Sequence, residues 1–283
     1  MNQPKLQLKN VSRIFQAPTG KTIPAVQDIS MEIQQGEFVC LVGPSGCGKS
    51  TLLMLIAGLQ KPDRGEILLD GVSVQGPGRD RSIIFQEPAL FPWLTVQQNV
   101  EFGLKLKGMP KPEREERVIE QIKKVHLLKF RAEYVSQLSG GMKQRVALAR
   151  SLVMDPDILL MDEPFAALDA QTRDLLHGEL QEIWKETHKT ILFVTHNVRE
   201  AVCLGNRVMV FTAHPGTIKK EFQVELPRPR QIEDPALINL VRPILAELKI
   251  EVEKYVQEEM DREYKITKGR VLADDRFGMG TGI

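Results

Sequence analysis

The sequence is short of cysteine, of uninterrupted apolar chain and of net charge. Its 283 residues hold three cysteines, Cys40, Cys47 and Cys203. Three thiols so widely spaced do not make the disulfide framework of a secreted domain, and they fit a reducing cytosol. The longest apolar run, Leu52 to Leu59, is far below the ~18 residues that a membrane-spanning helix needs. If the protein works at a membrane, a partner must hold it there. The N-terminus is polar, so no signal peptide is expected. A net charge of +1 removes any bulk electrostatic case for nucleic acid. What remains, 42% hydrophobic and 27% charged residues, is the composition of an ordinary globular protein with one large or two small domains.

Against these absences one stretch stands out, Leu41-Val42-Gly43-Pro44-Ser45-Gly46-Cys47-Gly48-Lys49-Ser50-Thr51. Phe38 to Val42 reads as a buried strand and Ser50 to Leu59 as a helix. Between them Gly43-x-x-x-x-Gly48-Lys49-Ser50 is the phosphate-binding loop pattern. Glycines let the backbone curl so that several N–H groups converge, and the helix N-terminus adds partial positive charge. Lys49 reaches outer phosphates and the Ser50 hydroxyl can ligate Mg²⁺. The helix start and Lys49 also favour a thiolate at Cys47, which predicts a lowered pKa and labelling by maleimide ahead of Cys40.

Upstream, Lys5 to Phe15 and Ala25 to Ile33 alternate like half-buried strands around a turn at Pro18-Thr19-Gly20-Lys21, which suggests an antiparallel sheet. Phe15 either packs in the core or stacks on a nucleotide base. Downstream come strands at Glu66 to Leu69 and Ser82 to Phe85, the latter leading into Gln86. The segment Glu87-Pro88-Ala89-Leu90-Phe91-Pro92-Trp93-Leu94-Thr95 is too proline-rich for a regular element and unusually apolar for a loop. It either folds into the core or forms a docking patch. Thr95 suits the N-cap of a helix to Leu106, and Pro112 opens another with Val118, Ile119, Ile122 and Val125 inward. Ser139 caps a helix led by Gly140 and Gly141, a second potential anion site but weak alone.

Ile158 to Asp162 reads as a buried strand followed by Glu163. Burying adjacent acids is costly; Asp162 suits a Mg²⁺ ligand and Glu163 a base acting on water. Ala170 to Lys185 is helical. A strand from Thr190 to Thr195 delivers His196, and a lone histidine at a strand end is more often structural than catalytic. A helix at Asn197 to Leu204, a strand at Arg207 to Phe211 and a last strand near Phe222 to Leu226 follow. Beyond Pro227 the prolines 227, 229, 235 and 243 mark irregular connections. Ile244 to Tyr264 has helical spacing, with Leu245, Leu248, Val252, Tyr255 and Val256 on one side. Gly269 to Ile283 has little periodicity, as in a disordered end.

Taken in order, residues 5 to 226 resemble the ATP-binding-cassette ATPases. Gly43–Thr51 resembles their Walker A, Gln86 the Q-loop glutamine and Leu138-Ser139-Gly140-Gly141-Met142-Lys143-Gln144-Arg145 the signature. Ile158–Asp162 resembles Walker B with Glu163 as catalytic glutamate, Ala167-Leu168-Asp169 the D-loop and His196 the switch histidine. Three positions depart from the pattern: Met142 replaces a glutamine, Ala166 a serine, and Phe15 a tyrosine, which keeps the π-face and loses the hydroxyl. Together with Leu90 to Thr95, the signature is similar to that of the nitrate, sulfonate and taurine importers.

The resemblance implies an α/β P-loop core with a mostly parallel sheet, an N-terminal antiparallel β subdomain, a helical subdomain at about 95–155 and a C-terminal helical extension at 227–283. It implies binding of ATP with Mg²⁺. Phe15, Gly43, Pro44, Ser45, Gly46, Cys47, Gly48, Lys49, Ser50 and Thr51 form one side of the nucleotide site. Ser139, Gly140, Gly141 and Asp169 complete the site of a second ATPase subunit, identical or not, paired head to tail. Glu163, His196 and Gln86 are the implied catalytic set, and Ser50, Gln86 and Asp162 the metal set. The γ-phosphate then holds the pair together until hydrolysis removes it. Further partners are transmembrane permease subunits near Leu90, Phe91 and Trp93 and, indirectly, an extracytoplasmic solute-binding protein. The implied place is peripheral, on the cytoplasmic face of the inner membrane. Non-transport relatives acting on nucleic acid or the ribosome are the alternative. Only 90 residues separate Lys49 from Ser139, too few for the long coiled coil of chromosome-structuring ATPases, and each motif occurs once, unlike the paired cassettes of translation factors.

Overall fold

The computed structural model describes residues 3–16, 20 and 22–277, with backbone only for 258–277. Two sheets carry the chain. The first is antiparallel, in the order β2 (Thr22–Ile33), β1 (Leu6–Gln16), β4 (Arg64–Leu69), β5 (Val72–Ser73). The second has six strands, β10 (Ile218–Gln223), β9 (Arg207–Phe211), β3 (Phe38–Val42), β8 (Thr190–Thr195), β7 (Ile158–Asp162) and β6 (Arg81–Ile84). It is parallel except at its β10 edge.

The central strands are apolar throughout because both faces are covered. In β3, Phe38, Cys40 and Val42 enter one hydrophobic cluster, and Val39 and Leu41 enter another on the opposite face. The second cluster lies between the sheets and takes in α1 (Lys49–Ile56) through Leu52, Leu53, Leu55 and Ile56. The first takes in α2 (Val96–Leu106), α3 (Lys111–Lys124) and α4 (Gly140–Leu152), which pack on one another, and α5 (Ala170–Thr187), α6 (Val198–Leu204) and the start of α7 (Pro235–Phe277). Thr95 caps α2 as expected and does more: Gln98 N donates to Thr95 Oγ1 (3.2 Å) and Thr95 N to Gln98 Oε1 (2.9 Å), a full capping box.

Four expectations are corrected. The stretch expected to be a disordered end, Gly269 to Ile283, is helical as far as Phe277, where it continues α7. The last strand is Ile218–Gln223, not Phe222–Leu226. It starts straight from the turn closed by Thr217 N on Thr212 Oγ1 (2.9 Å), and pairing ends where Val224 N turns to Asn206 O. Helix α7 takes in Pro235 and Pro243 rather than breaking at them. Pro243 lies on the exposed face, as does Asn239, whose carbonyl the proline leaves without a helical donor, so water can serve it. The buried side of α7 is also turned from the one expected. Leu237, Val241, Ile244 and Glu251 face inward, while Leu245, Val252 and Val256 are 40–46% exposed. The buried acid sets that rotation: Glu251 accepts from Lys219 (2.9 Å), Lys254 (3.1 Å) and Ala213 N (3.2 Å). Apart from Gly20, the expected turn at Pro18 to Lys21 lies outside the described residues, as do the final residues 278–283.

Candidate functional site

The loop after β3 closes on itself. Gly48 sits at φ +97°, where a side chain is strained, and a Cβ there would fall on the carbonyl of Ala25. Gly43 has no such φ, but its Cβ would lie 2.9 Å from both Cys47 Sγ and Phe211 Cβ. Lys49 is buried, and its Nζ donates to the carbonyls of Gly43 (2.9 Å) and Pro44 (2.7 Å). Its charge therefore sits on the loop's own backbone, within reach of any anion the loop accepts. No side chain caps α1, so the N–H groups of its first turn are open to a ligand.

Strand β7 brings Asp162 beside this loop, where its Oδ1 accepts from Ser50 Oγ (3.0 Å). Burial raises the Asp162 pKa, the nearby Glu163 charge adds to the rise, and the Ser50 bond and Lys49 oppose it. A carboxylate held uncomfortably anionic beside a hydroxyl is suited to a hard cation. The next residue leaves the strand: Glu163 takes φ +44°, and its N–H donates to Val194 O (2.9 Å). A non-glycine residue in that region is sparsely populated and marks a position held by its surroundings. The turn aims its carboxylate at the end of β8, where Glu163 Oε2 meets His196 Nδ1 at 2.7 Å.

A cavity of about 620 Å³ opens over these groups. Its walls include Phe15, Ser45, Gly46, Gly48, Lys49, Ser50, Thr51, Gln86, Glu163 and His196. Arg13 stacks on the Phe15 ring at 5.1 Å and is held by Asp63. Gly43, Pro44 and Cys47, all buried, are not on the wall, and the half-buried Asp162 meets it through Ser50.

Cys47 overturns the electrostatic argument made for it. Its side chain is 0% exposed, and burial raises the thiol pKa more than Lys49, 3.6 Å from the sulfur, lowers it. Cys40 is raised too, and Cys203 is pushed up to about 11, both by burial first.

Ser139, Gly140, Gly141 and Asp169 do not reach this cavity. They form a second locus. Ser139 Oγ accepts from Met142 N (3.4 Å) at the start of α4, and Asp169 Oδ1 from Thr172 N (3.0 Å) at the start of α5. The two starts abut, since a Cβ on Gly140 would lie 3.4 Å from Leu168 and one on Gly141 would strike Thr172. Ser139, Gly140 and Asp169 are exposed.

The apolar loop before α2 is divided. Leu90 packs on the core, Phe91 stacks on Phe102 (4.5 Å) and Trp93 is 69% exposed. Asn99 fixes the loop, accepting from Phe91 N (2.9 Å) and donating to the carbonyls of Phe91, Leu94 and Thr95.

Sequence reasoning missed several residues. His214 lines the cavity, and no motif of the sequence marked it. Gln144 donates to the Gln86 carbonyl (2.8 Å), and Arg150 to those of Ala89 (2.8 Å) and Pro88 (2.9 Å). Arg228 and Arg230 bond carbonyls at the end of α6, among them Leu204 and Val202.

The family model described as ABC transporter matches residues 26–166. The chain is 52% identical to an uncharacterized ABC transporter ATP-binding protein of Methanocaldococcus jannaschii, over 88% of this chain and 93% of that one. It is 51% identical to the nitrate import ATP-binding protein NrtD of Synechocystis, over 78% and 83%. It is 46% identical to the taurine import ATP-binding protein TauB of Roseobacter denitrificans, over 77% and 82%. A solved ATP-binding cassette, dimeric in a post-hydrolysis state with ADP and Pi, superposes with a TM-score of 0.70 at 34% identity, covering 78% of this chain and all of the other.

Proposed function

The chain belongs to the ABC transporter family as an ATP-binding subunit, and on that premise we propose that it powers import of a small anion such as nitrate, taurine or an aliphatic sulfonate. The observation that carries the hydrolytic part is the Glu163–His196 pair, 2.7 Å apart on the wall of the cavity that the phosphate loop lines. ATP lies in that cavity with its base on Phe15 and its phosphates over Ser45 to Thr51. Lys49 turns from the carbonyls of Gly43 and Pro44 to the outer phosphates. Glu163 orients or deprotonates the attacking water, and His196 bonds the γ-phosphate.

The donors fit Mg²⁺: a hydroxyl and a carboxylate 3.0 Å apart, the latter destabilised as an anion by burial. Ser50 and Asp162 would hold the ion, with Gln86 directly or through water, and the ion would neutralise charge on the phosphates.

The second locus, Ser139 to Gly141 with Asp169, serves the ATP of another cassette. That is why it stands exposed and apart from this chain's own cavity. Two copies, or this chain and a similar one, pair head to tail, each closing the other's site. The start of α7 packs on its own cassette through Leu237, Val241 and Ile244. Trp93, with Leu90 and Phe91 behind it, takes a short cytoplasmic segment of a permease, so the protein sits peripherally at the inner membrane. Among the described residues no helix is long and apolar enough to cross a membrane. The solute-binding protein acts from the far side and touches the permease, not this chain. The near-zero net charge and the short spacing between motifs disfavour the alternative, a cassette working on nucleic acid or the ribosome.

Uptake of labelled nitrate, taurine and an alkanesulfonate by cells with and without the gene tests the anion. Loss of one of the three is expected; unchanged uptake of all three overturns the assignment.

A further inference from the structure

The turn after β9 reaches the nucleotide cavity from a side that no motif marks. In the larger sheet β9 lies on one side of β3, and β8 and β7 lie on the other. The phosphate loop follows β3, while His196 and Glu163 follow β8 and β7. The turn after β9 therefore comes to the cavity across the loop from that pair, and it puts His214 on the wall. Phe15, Ile23 and Ala25, from β1 and β2, line the same cavity. Gly216 ties the turn to this group: its N–H donates to Ala25 O (3.1 Å) and its carbonyl accepts from Gln27 N (3.0 Å). His214 thus belongs with the strands that carry Phe15.

The turn is closed at its neck and gripped from two sides. Thr212 Oγ1 donates to Pro215 O (2.6 Å) and accepts from Thr217 N (2.9 Å). A Cβ on Gly216 would strike Cys47 O, so the far limb is pressed on the phosphate loop. The near limb is held by α7. Glu251 Oε2 accepts from Ala213 N (3.2 Å), and one helical turn on, the Tyr255 ring lies 6.2 Å from that of His214 at 42°. That spacing is contact for an aromatic pair. Glu251 and Tyr255 share a helix face. Glu251 is buried and paired with Lys219 and Lys254, which fixes α7 against the turn.

These bonds shape the turn without using the imidazole. His214 is half-buried, and its Nδ1, shielded from solvent, has no hydrogen-bond partner among the described residues. Packing on Tyr255, rather than a hydrogen bond at that nitrogen, orients the ring. Tyr255 itself is not on the cavity wall.

We propose that His214 is a nucleotide contact at the base end of the cavity, its ring packing on the adenosine part of ATP and held there by Tyr255, so that α7 tunes nucleotide affinity. This deepens the function proposed above and rests on the cavity being the ATP site. Phe15, Ile23 and Ala25 make an apolar wall suited to a flat base, and an imidazole adds a π-face that phosphates do not need. The phosphates are served separately, by Ser45 to Thr51. His214 is then a binding residue, and Tyr255 a positioning residue that meets the nucleotide only through it.

The test is calorimetry on the full chain with ADP and, as the ligand without base or sugar, pyrophosphate; neither turns over during the titration. His214→Ala should weaken ADP binding roughly three- to tenfold, the scale of one ring contact, and leave pyrophosphate binding as in wild type. His214→Phe, which keeps a ring, should restore ADP binding. Tyr255→Ala should reproduce the loss and Tyr255→Phe should not. In turnover, His214→Ala should raise the KM for ATP by the same factor with kcat at the wild-type level, as for an interaction made equally in ground and transition states. Equal ADP binding by wild type and His214→Ala overturns the contact, and so does a loss in His214→Phe as large as in His214→Ala. An equal loss of ADP and pyrophosphate makes His214 a prop of the phosphate loop and overturns it too. Unmoved ADP binding in Tyr255→Ala overturns the part given to α7. A wild-type chain that binds neither ligand strikes the ATP site itself, so the two failures are distinguishable.

Discussion

Two helices in this molecule begin behind glycines, and they are built differently. At α1 the preceding turn holds Gly48 at φ +97°, no side chain caps the helix, and a cavity with Glu163 and His196 on its wall stands over the open N–H groups. At α4 the first turn is already capped by Ser139, the glycines have ordinary backbone angles, and the surface outside is exposed. The first is a walled cavity and the second an open surface, which on the proposed pairing contributes to a site only when another cassette is brought to it. The same dipole argument applies to both; what separates them is the presence of chemistry opposite.

The sharpest way to break this contrast is at Glu163. Glu163→Gln should lower ATP hydrolysis by roughly 10²–10⁴-fold, the range for a general base, while ATP binding persists and an ATP-held dimer accumulates on gel filtration. Turnover near the wild-type rate would remove the base from the first locus. At the second locus, Gly140→Asp is tolerated by the fold, since the new Cβ meets only Leu168 at 3.4 Å. It should cost about 10²-fold in hydrolysis, as for one lost transition-state donor, with ATP affinity of the separate chain unchanged. Loss of that affinity would mean that α4 serves its own chain's nucleotide.

Smaller effects sharpen the picture. Trp93→Ala should leave ATPase activity of the purified subunit intact and weaken co-purification with the permease about 30-fold, the scale of an interface anchor. Normal co-purification returns Trp93 to an ordinary exposed side chain. Ser139→Ala should cost ~1 kcal/mol in urea unfolding, because the cap is real at α4; no change would show that water caps the helix equally well. The smallest expected signal is at Cys47. Maleimide should label it far more slowly in the folded chain than in urea, with or without ATP, because it is buried and its thiol raised. Rapid labelling of the folded chain, blocked by Mg-ATP, would contradict that burial.

The failure at Cys47 shows what could be read in the chain and what could not. The loop, the strands β3, β7 and β8, and the grouping of Ser50, Asp162 and Glu163 were legible from residue types at short range, whereas His196 entered only through the resemblance. The pull of Lys49 and of the loop's backbone N–H groups is also short-range, and it lowers the thiol pKa as expected. Burial of the sulfur is not: it depends on how the turn at Gly216 and Phe211 of β9 pack against the loop, from more than 150 residues away. Gly216 could not carry a Cβ without striking the Cys47 carbonyl. The rotation of α7 was hidden for a similar reason. Ile244, Leu248 and Glu251 share a helical spacing just as Leu245, Leu248 and Val252 do, and the partners of Glu251 that favour the first set include the distant Lys219 and Ala213 N. His214 and the buried Arg230 gave no local signal at all.

The three bonds from α4 to the segment after β6 have a mechanical consequence. Gln144 grips the Gln86 carbonyl and Arg150 grips Pro88 and Ala89, so that segment and α4 form one stiff lever. On the head-to-tail pairing proposed above, a pull on the Gln86 side chain from this chain's γ-phosphate would swing α4, and with it Gly140, toward or away from the opposite nucleotide. Each nucleotide would then tighten or loosen the clasp on the other, as in meshed gears, and cutting Gln144 or Arg150 would uncouple the gears without removing a tooth.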